Sequence, residues 1–163
     1  MNRNSGFLGS PTPHGRFSAL QVRLTRKTYR SIAALGNWLP KRRNPLIAIV
    51  DDDAAVRRAL GRLLEASGYS TRLFASADEF LASDQIEDTS CLITDVQMPG
   101  LSGFDLQKQL LAEGYRIPTI FITAFPDENA KARAMNAGAI GFLRKPFKHD
   151  ELIIPLNNAV KRT

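Results

Sequence analysis

The chain has 163 residues, 44% hydrophobic and 23% charged, the balance of an ordinary globular protein with room for one sizeable core. No apolar stretch approaches the roughly 18 residues of a membrane span, the single cysteine excludes an intramolecular disulfide framework, and His14 and His149 stand far apart with no cysteine cluster to make a zinc site. The net charge of +6 conceals a division: residues 1–44 carry nine Lys/Arg and no acid, whereas residues 45–163 carry 13 Lys/Arg against all 16 Asp/Glu, a net of −3.

The basic segment, residues 1–44, comes first. Its early Gly, Ser and Pro predict disorder. Between residues 17 and 39 a weak helical spacing of Leu20, Leu24, Ile32, Leu35 and Leu39, with basic residues between, fits a partly helical arm. Such an arm suits anionic lipid or nucleic acid. A solvated tail is the plainer reading.

After Pro45 strands and helices alternate. Leu46-Ile47-Ala48-Ile49-Val50 is too apolar to alternate and too short for a typical helix, so it reads as a buried strand. A helix follows over 54–67, with Val56, Leu60, Leu63 and Leu64 on one face and Gly68 as its stop. Residues 70–74 predict a second strand. Ser76-Ala77-Asp78-Glu79 is a capping box that opens a second helix, with Phe80 and Leu81 as core candidates. Residues 91–94 make a third strand, where Cys91 serves as a small core hydrophobe, in keeping with a reducing, cytoplasmic setting. The third helix spans 103–113. A fourth strand at 118–123, a fourth helix opened by Pro126-Asp127 and ending near Gly138, a fifth strand at 140–144 and a fifth helix at 148–161 complete the pattern. Five βα units predict an α/β fold, a doubly wound five-stranded parallel sheet with helices on both faces.

In such a sheet ligands bind beyond the carboxyl ends of the strands. Asp51, Asp52 and Asp95 all stand there, with Thr123 ending the fourth strand and Lys145 the fifth. Like charges held together call for a cation, and clustered carboxylates suit Mg²⁺, a hard ion that leaves room for a phosphate oxygen. A carboxylate is also a nucleophile able to form an aspartyl phosphate. Lys145 would then neutralise charge on the phosphoryl group and Thr123 would donate a hydrogen bond to it. Singly, each residue has a duller role: Asp52 or Asp53 as a helix cap, Thr123 as a strand residue, Lys145 as a surface cation. Their joint order favours the site.

Four motifs carry a resemblance: Val50-Asp51-Asp52-Asp53, the run from Asp95-Val96-Gln97-Met98-Pro99-Gly100 to Gly103, Ile122-Thr123-Ala124, and the run from Gly138-Ala139 to Lys145-Pro146-Phe147. Over about residues 45–161 the chain resembles the receiver domain of two-component response regulators, most of all the subclass usually fused to a helix-turn-helix output domain. The resemblance implies a flavodoxin-like strand order 2-1-3-4-5. It implies Asp95 as phosphoacceptor, and Asp52, Asp51 (through water), Asp95 and the Gln97 backbone carbonyl as the Mg²⁺ site. It further implies Thr123 as the switch hydroxyl, Phe142 as the switch aromatic, Lys145 as the phosphate-pairing lysine, and a cis Lys145–Pro146 peptide. A histidine kinase or phosphotransfer protein would be the donor. An unidentified protein would be the downstream partner, and the chain would be a monomer or a phosphorylation-dependent dimer, not a dedicated enzyme.

Further expectations concern the ends of the chain, the last helix and the mouth of the site. Only 18 residues succeed Lys145, room for one helix, so an output domain and direct DNA binding are not expected. A DNA- or membrane-associated regulator working through the basic segment is the alternative. Pro155 should kink the last helix and alter a dimer face. Phe125 and Gln97, each two residues past a site residue, should restrict the water that resets the switch. A true phosphohydrolase is disfavoured, since no insertion offers a substrate cap.

Overall fold

The computed structural model describes residues 44–161. The basic segment and its helical spacing at 17–39 therefore lie outside the described residues. The elements are β1 (Leu46–Val50), α1 (Ala54–Ala66), β2 (Ser70–Phe74), α2 (Ala77–Leu81), β3 (Thr89–Asp95), α3 (Gly103–Ala112), β4 (Thr119–Thr123), α4 (Glu128–Asn136), β5 (Gly141–Arg144) and α5 (His149–Val160). All neighbouring strands are parallel and the order is β2-β1-β3-β4-β5.

Side chains alternate across a strand, and this sorts the apolar runs into two cores. Ile47, Ile49, Cys91, Ile93, Ile120 and Ile122 face one side, where Leu60 and Leu64 of α1 and Leu152 and Leu156 of α5 meet them. Ala48, Val50 and Leu92 face the other, against Phe80 of α2 and Leu106 and Leu110 of α3. Each fully buried Leu or Ile contributes about 1.5–3 kcal/mol, so both helical layers are held firmly to the sheet. A third cluster of Phe104, Phe121, Val96, Ala134 and Ala139 seats α4 beside α3 and β4.

Helix entries follow side-chain caps. Asp53 caps α1, Ser76 caps α2, Ser102 and Asp105 form a capping box on α3, and Asp127 caps α4. Gly68 follows α1 at a φ of 89°, a conformation open to glycine that ends the helix.

Boundaries shift where tertiary partners intervene. β3 begins at Thr89 because Thr89 pairs with Leu46 across a register irregularity. Pro118 flanks β4 and only accepts, from Leu92 N at 2.9 Å. α4 starts after Asp127, whose carboxylate accepts from Ala130 N and so ends the loop. α2 is a short helix of five residues. Pro155 lies inside α5, which runs unbroken from His149 to Val160.

Candidate functional site

β1 delivers three consecutive aspartates, and each has a different job. Asp51 N donates to Phe74 O at 3.2 Å, extending the β1–β2 ladder by one residue and fixing Asp51 in the sheet. Its side chain is fully buried, and Oδ1 accepts from Asp53 N at 2.8 Å. Asp52 is exposed. Asp53 accepts from Ala55 N at 2.7 Å and Val56 N at 3.2 Å, which makes it the cap. The choice of cap between Asp52 and Asp53 thus falls on Asp53.

Asp95 ends β3, nearly buried, with Oδ1 accepting from Gln97 N at 2.9 Å. A carboxylate oxygen from each of Asp51, Asp52 and Asp95 lies within 4.8 Å of the others. Three hard oxygen donors at that spacing suit a single divalent cation. The Lys145 ammonium reaches into the same cluster. It donates to Asp51 Oδ2 at 2.7 Å and forms a second ion pair with Asp95 Oδ2. Lys145 N donates to Thr123 O at 2.8 Å, which aligns the ends of β4 and β5, and the Lys145–Pro146 peptide is cis.

Thr123 is buried at the end of β4, where its hydroxyl accepts from Phe125 N at 3.1 Å. Phe125 itself is 73% exposed. Phe142 pairs with Phe121 in the β4–β5 register and packs, half-buried, on the aromatic cluster under α4. Arg133 of α4 stacks over the Phe104 ring at 4.4 Å from its centroid. The five motif residues Asp51, Asp52, Asp95, Thr123 and Lys145 therefore gather at one edge, with Phe142 three residues before Lys145.

Burial raises the Asp51 carboxyl above its ordinary range, against the hydrogen bonds from Lys145 and Asp53 N that pull it down. Burial pulls the Lys145 ammonium down, but its bonds to Asp51 and Asp95 outweigh this and leave it raised. The amides of Val56 and Ala55 hold Asp53 low, as a cap should be. Burial pushes the Cys91 thiol up to about 12, so it is a core group and not a nucleophile. One contact escaped the reading of the sequence. Arg57 in the first turn of α1 donates Nη1 to the backbone oxygen of Asp51. A cation at the positive end of a helix is an anomaly, and that was the available signal.

Comparison with known proteins bears on the fold that carries this arrangement. The response regulator receiver domain family matches residues 47–157. The chain is 42% identical over 117 residues to nodulation protein W of Bradyrhizobium diazoefficiens, covering 72% of this chain and 52% of that protein. It is 42% identical over 119 residues to the response regulator protein TodT of Pseudomonas putida, covering 73% and 52%. The chain spans about half the length of these curated relatives. Among solved structures, response regulator StyR superposes with a TM-score of 0.68 at 41% identity, covering 73% of this chain and 60% of that one. FixJ-N superposes with a TM-score of 0.66 at 33% identity, covering 74% and 97%. With the family matched across nearly the whole sheet, and relatives of this closeness sharing it, the chain belongs to the response regulator receiver domains of two-component systems.

Proposed function

We propose that residues 45–163 act as a phosphorylation-controlled switch whose phosphoacceptor is Asp95, and that residues 1–44 form a separate basic extension. The observation that carries this reading is the meeting of Asp51, Asp52, Asp95 and Lys145 at one strand edge. The acidic trio, with the Gln97 backbone carbonyl, would hold Mg²⁺. Bound there, Mg²⁺ would neutralise the carboxylates and the charge developing on a transferred phosphoryl group.

The remaining chemistry belongs to the chain. An Asp95 carboxylate oxygen bonds to phosphorus as the P–N bond of a phosphohistidine donor breaks. The electron pair returns to the imidazole, which takes a proton from solvent. Asp95 is positioned for this by the Gln97 amide, which holds one carboxylate oxygen and leaves the other turned toward Lys145. The Lys145 ammonium then shifts its pairing to a phosphoryl oxygen. The Thr123 hydroxyl gives up its bond from Phe125 N to donate to the phosphoryl group. Phe142 follows, and the face formed by α4, β5 and α5 changes for a downstream partner. Phosphate can shift this balance only by favouring one state over the other. Water attacking phosphorus returns the Asp95 carboxylate and free phosphate.

The donor in this reading is a histidine kinase or phosphotransfer protein, and no turnover of an external substrate is assigned. Among the described residues, no helix is long and apolar enough to cross a membrane. The test is phosphotransfer from candidate histidine kinases, or from acetyl phosphate, with Mg²⁺. Label should enter the wild type and be lost with Asp95→Asn or with EDTA. Label persisting on Asp95→Asn would sink the assignment.

A second reading rests on composition. Nine Lys/Arg with no acid in residues 1–44 favour an anionic partner, DNA or lipid, for that segment. Its mark would be steeply salt-dependent binding that disappears when 1–44 are removed.

A further inference from the structure

We infer that Arg57 is a positioning residue for the divalent-cation site, acting through the Asp51–Asp52 peptide. The inference rests on the proposed switch and its acidic cluster, and deepens it.

Arg57 sits in the first turn of α1, half-buried, with no acid beside it in that turn. The helix dipole opposes a cation there by about 0.3–1 kcal/mol, so a compensating contact is needed. The contact present is the Nη1 bond to Asp51 O. Among the described residues Arg57 forms no ion pair within 4.0 Å, so the guanidinium meets the loop through a carbonyl and not a carboxylate.

That carbonyl is the point of leverage. The peptide is planar, so fixing Asp51 O also fixes the direction of Asp52 N–H and the start of the Asp52 backbone. Asp51 is already held by Phe74 O, Asp53 N and Lys145. Asp53 is held by the helix it caps. Asp52 is exposed, so the placing of its carboxylate depends on the backbone that carries it. Arg57 thus restrains the one member of the acidic trio that packing leaves loose. Partners that orient a ligand in this way typically change metal affinity 10- to 100-fold when removed.

The test is titration of the full, unphosphorylated chain with Mg²⁺ by calorimetry and with Mn²⁺ by electron paramagnetic resonance. Arg57→Ala should bind either ion about tenfold more weakly. Arg57→Lys, whose single ammonium reaches less far than the guanidinium, should fall between. At saturating Mg²⁺ the rate of phosphate uptake from acetyl phosphate should return to within about twofold of wild type, because Arg57 acts on cation affinity and not on the transfer itself. Urea midpoints confirm that the variants fold. Unchanged or tighter cation binding in folded Arg57→Ala overturns the inference, and if that variant does not fold, wild-type affinity in Arg57→Lys does so. A rate that stays low at saturating cation, with donor KM raised, also overturns it by placing Arg57 against the donor. The parent reading fails differently: label on Asp95→Asn, or a wild type that binds no divalent ion, defeats the site itself.

Discussion

Asp51 is the residue on which stability and function oppose each other. It is fully buried, and burial raises its carboxyl above the ordinary value of 3.8. A carboxyl raised by folding favours the folded state most when protonated, and that contribution is lost as pH rises through the raised value. Asp51→Asn removes the charge while keeping an oxygen for Asp53 N and Lys145. In EDTA it should melt above wild type, with the gap widening as pH rises above 3.8, while its Mg²⁺ binding is lost. A gap that is flat with pH would contradict this account. Phe125 gives a second prediction at this scale. It is largely exposed, two residues past Thr123, so Phe125→Ala should open the approach of water and hasten loss of phosphate several-fold. An unchanged dephosphorylation rate would count against it. The carboxylates, Thr123 and Lys145 were legible in the sequence because strand ends and residue type alone place them. Arg57 was not, because its role depends on where a long side chain turns within the first turn of a helix, which spacing does not encode.

α3 and α5 are the elements with the sharpest constraints. Gly103 opens α3 so close to β3 that a Cβ would stand 2.2 Å from Asp95 O and 3.1 Å from the Thr94 side chain. The obstacle is backbone, so relief requires α3 or Asp95 itself to move. Gly103→Ala should cost about 1–3 kcal/mol in urea denaturation and slow phosphate uptake as well. α5 carries the opposite case. Pro155 lacks the N–H that would bond Glu151 O, yet the helix continues, with the ring near Gly141 of β5. Asn157, a weak helix former, is engaged by Tyr69, whose hydroxyl donates to its Oδ1 at 2.6 Å. Pro155→Ala should restore a backbone bond and stabilise by about 1–2 kcal/mol, less than the full helix penalty of proline because ring packing is given up. Chemical denaturation checks this. The element types and order were readable because each apolar run is short, four helices open on a polar side-chain cap and three are followed by a glycine. The ends were less so: Thr89 joins β3 only because Leu46 is its partner 43 positions earlier in the chain, a pairing that local pattern cannot supply.

At the scale of the whole molecule, the parallel sheet divides into a protected centre and two edges. β1, β3 and β4 have a strand on each side, while β2 and β5 have one. Amide exchange should therefore be slowest in β1, β3 and β4 and quicker in β5, where three residues are partly buried and Arg144 is exposed. Where the site lies was also readable at this scale, since the edge beyond the strand ends follows from the βα alternation. The ion pairs of Lys145 carry a last consequence. Its ammonium joins Asp51 and Asp95, partners 94 and 50 residues away, so the ion-free protein supplies its own counterion to the acidic edge. Loading with a divalent ion would then be an exchange and not a simple addition. An ion entering there would compete with Lys145 for the two carboxylates and so loosen the tie between the ends of β1 and β3 and the residue that follows β5.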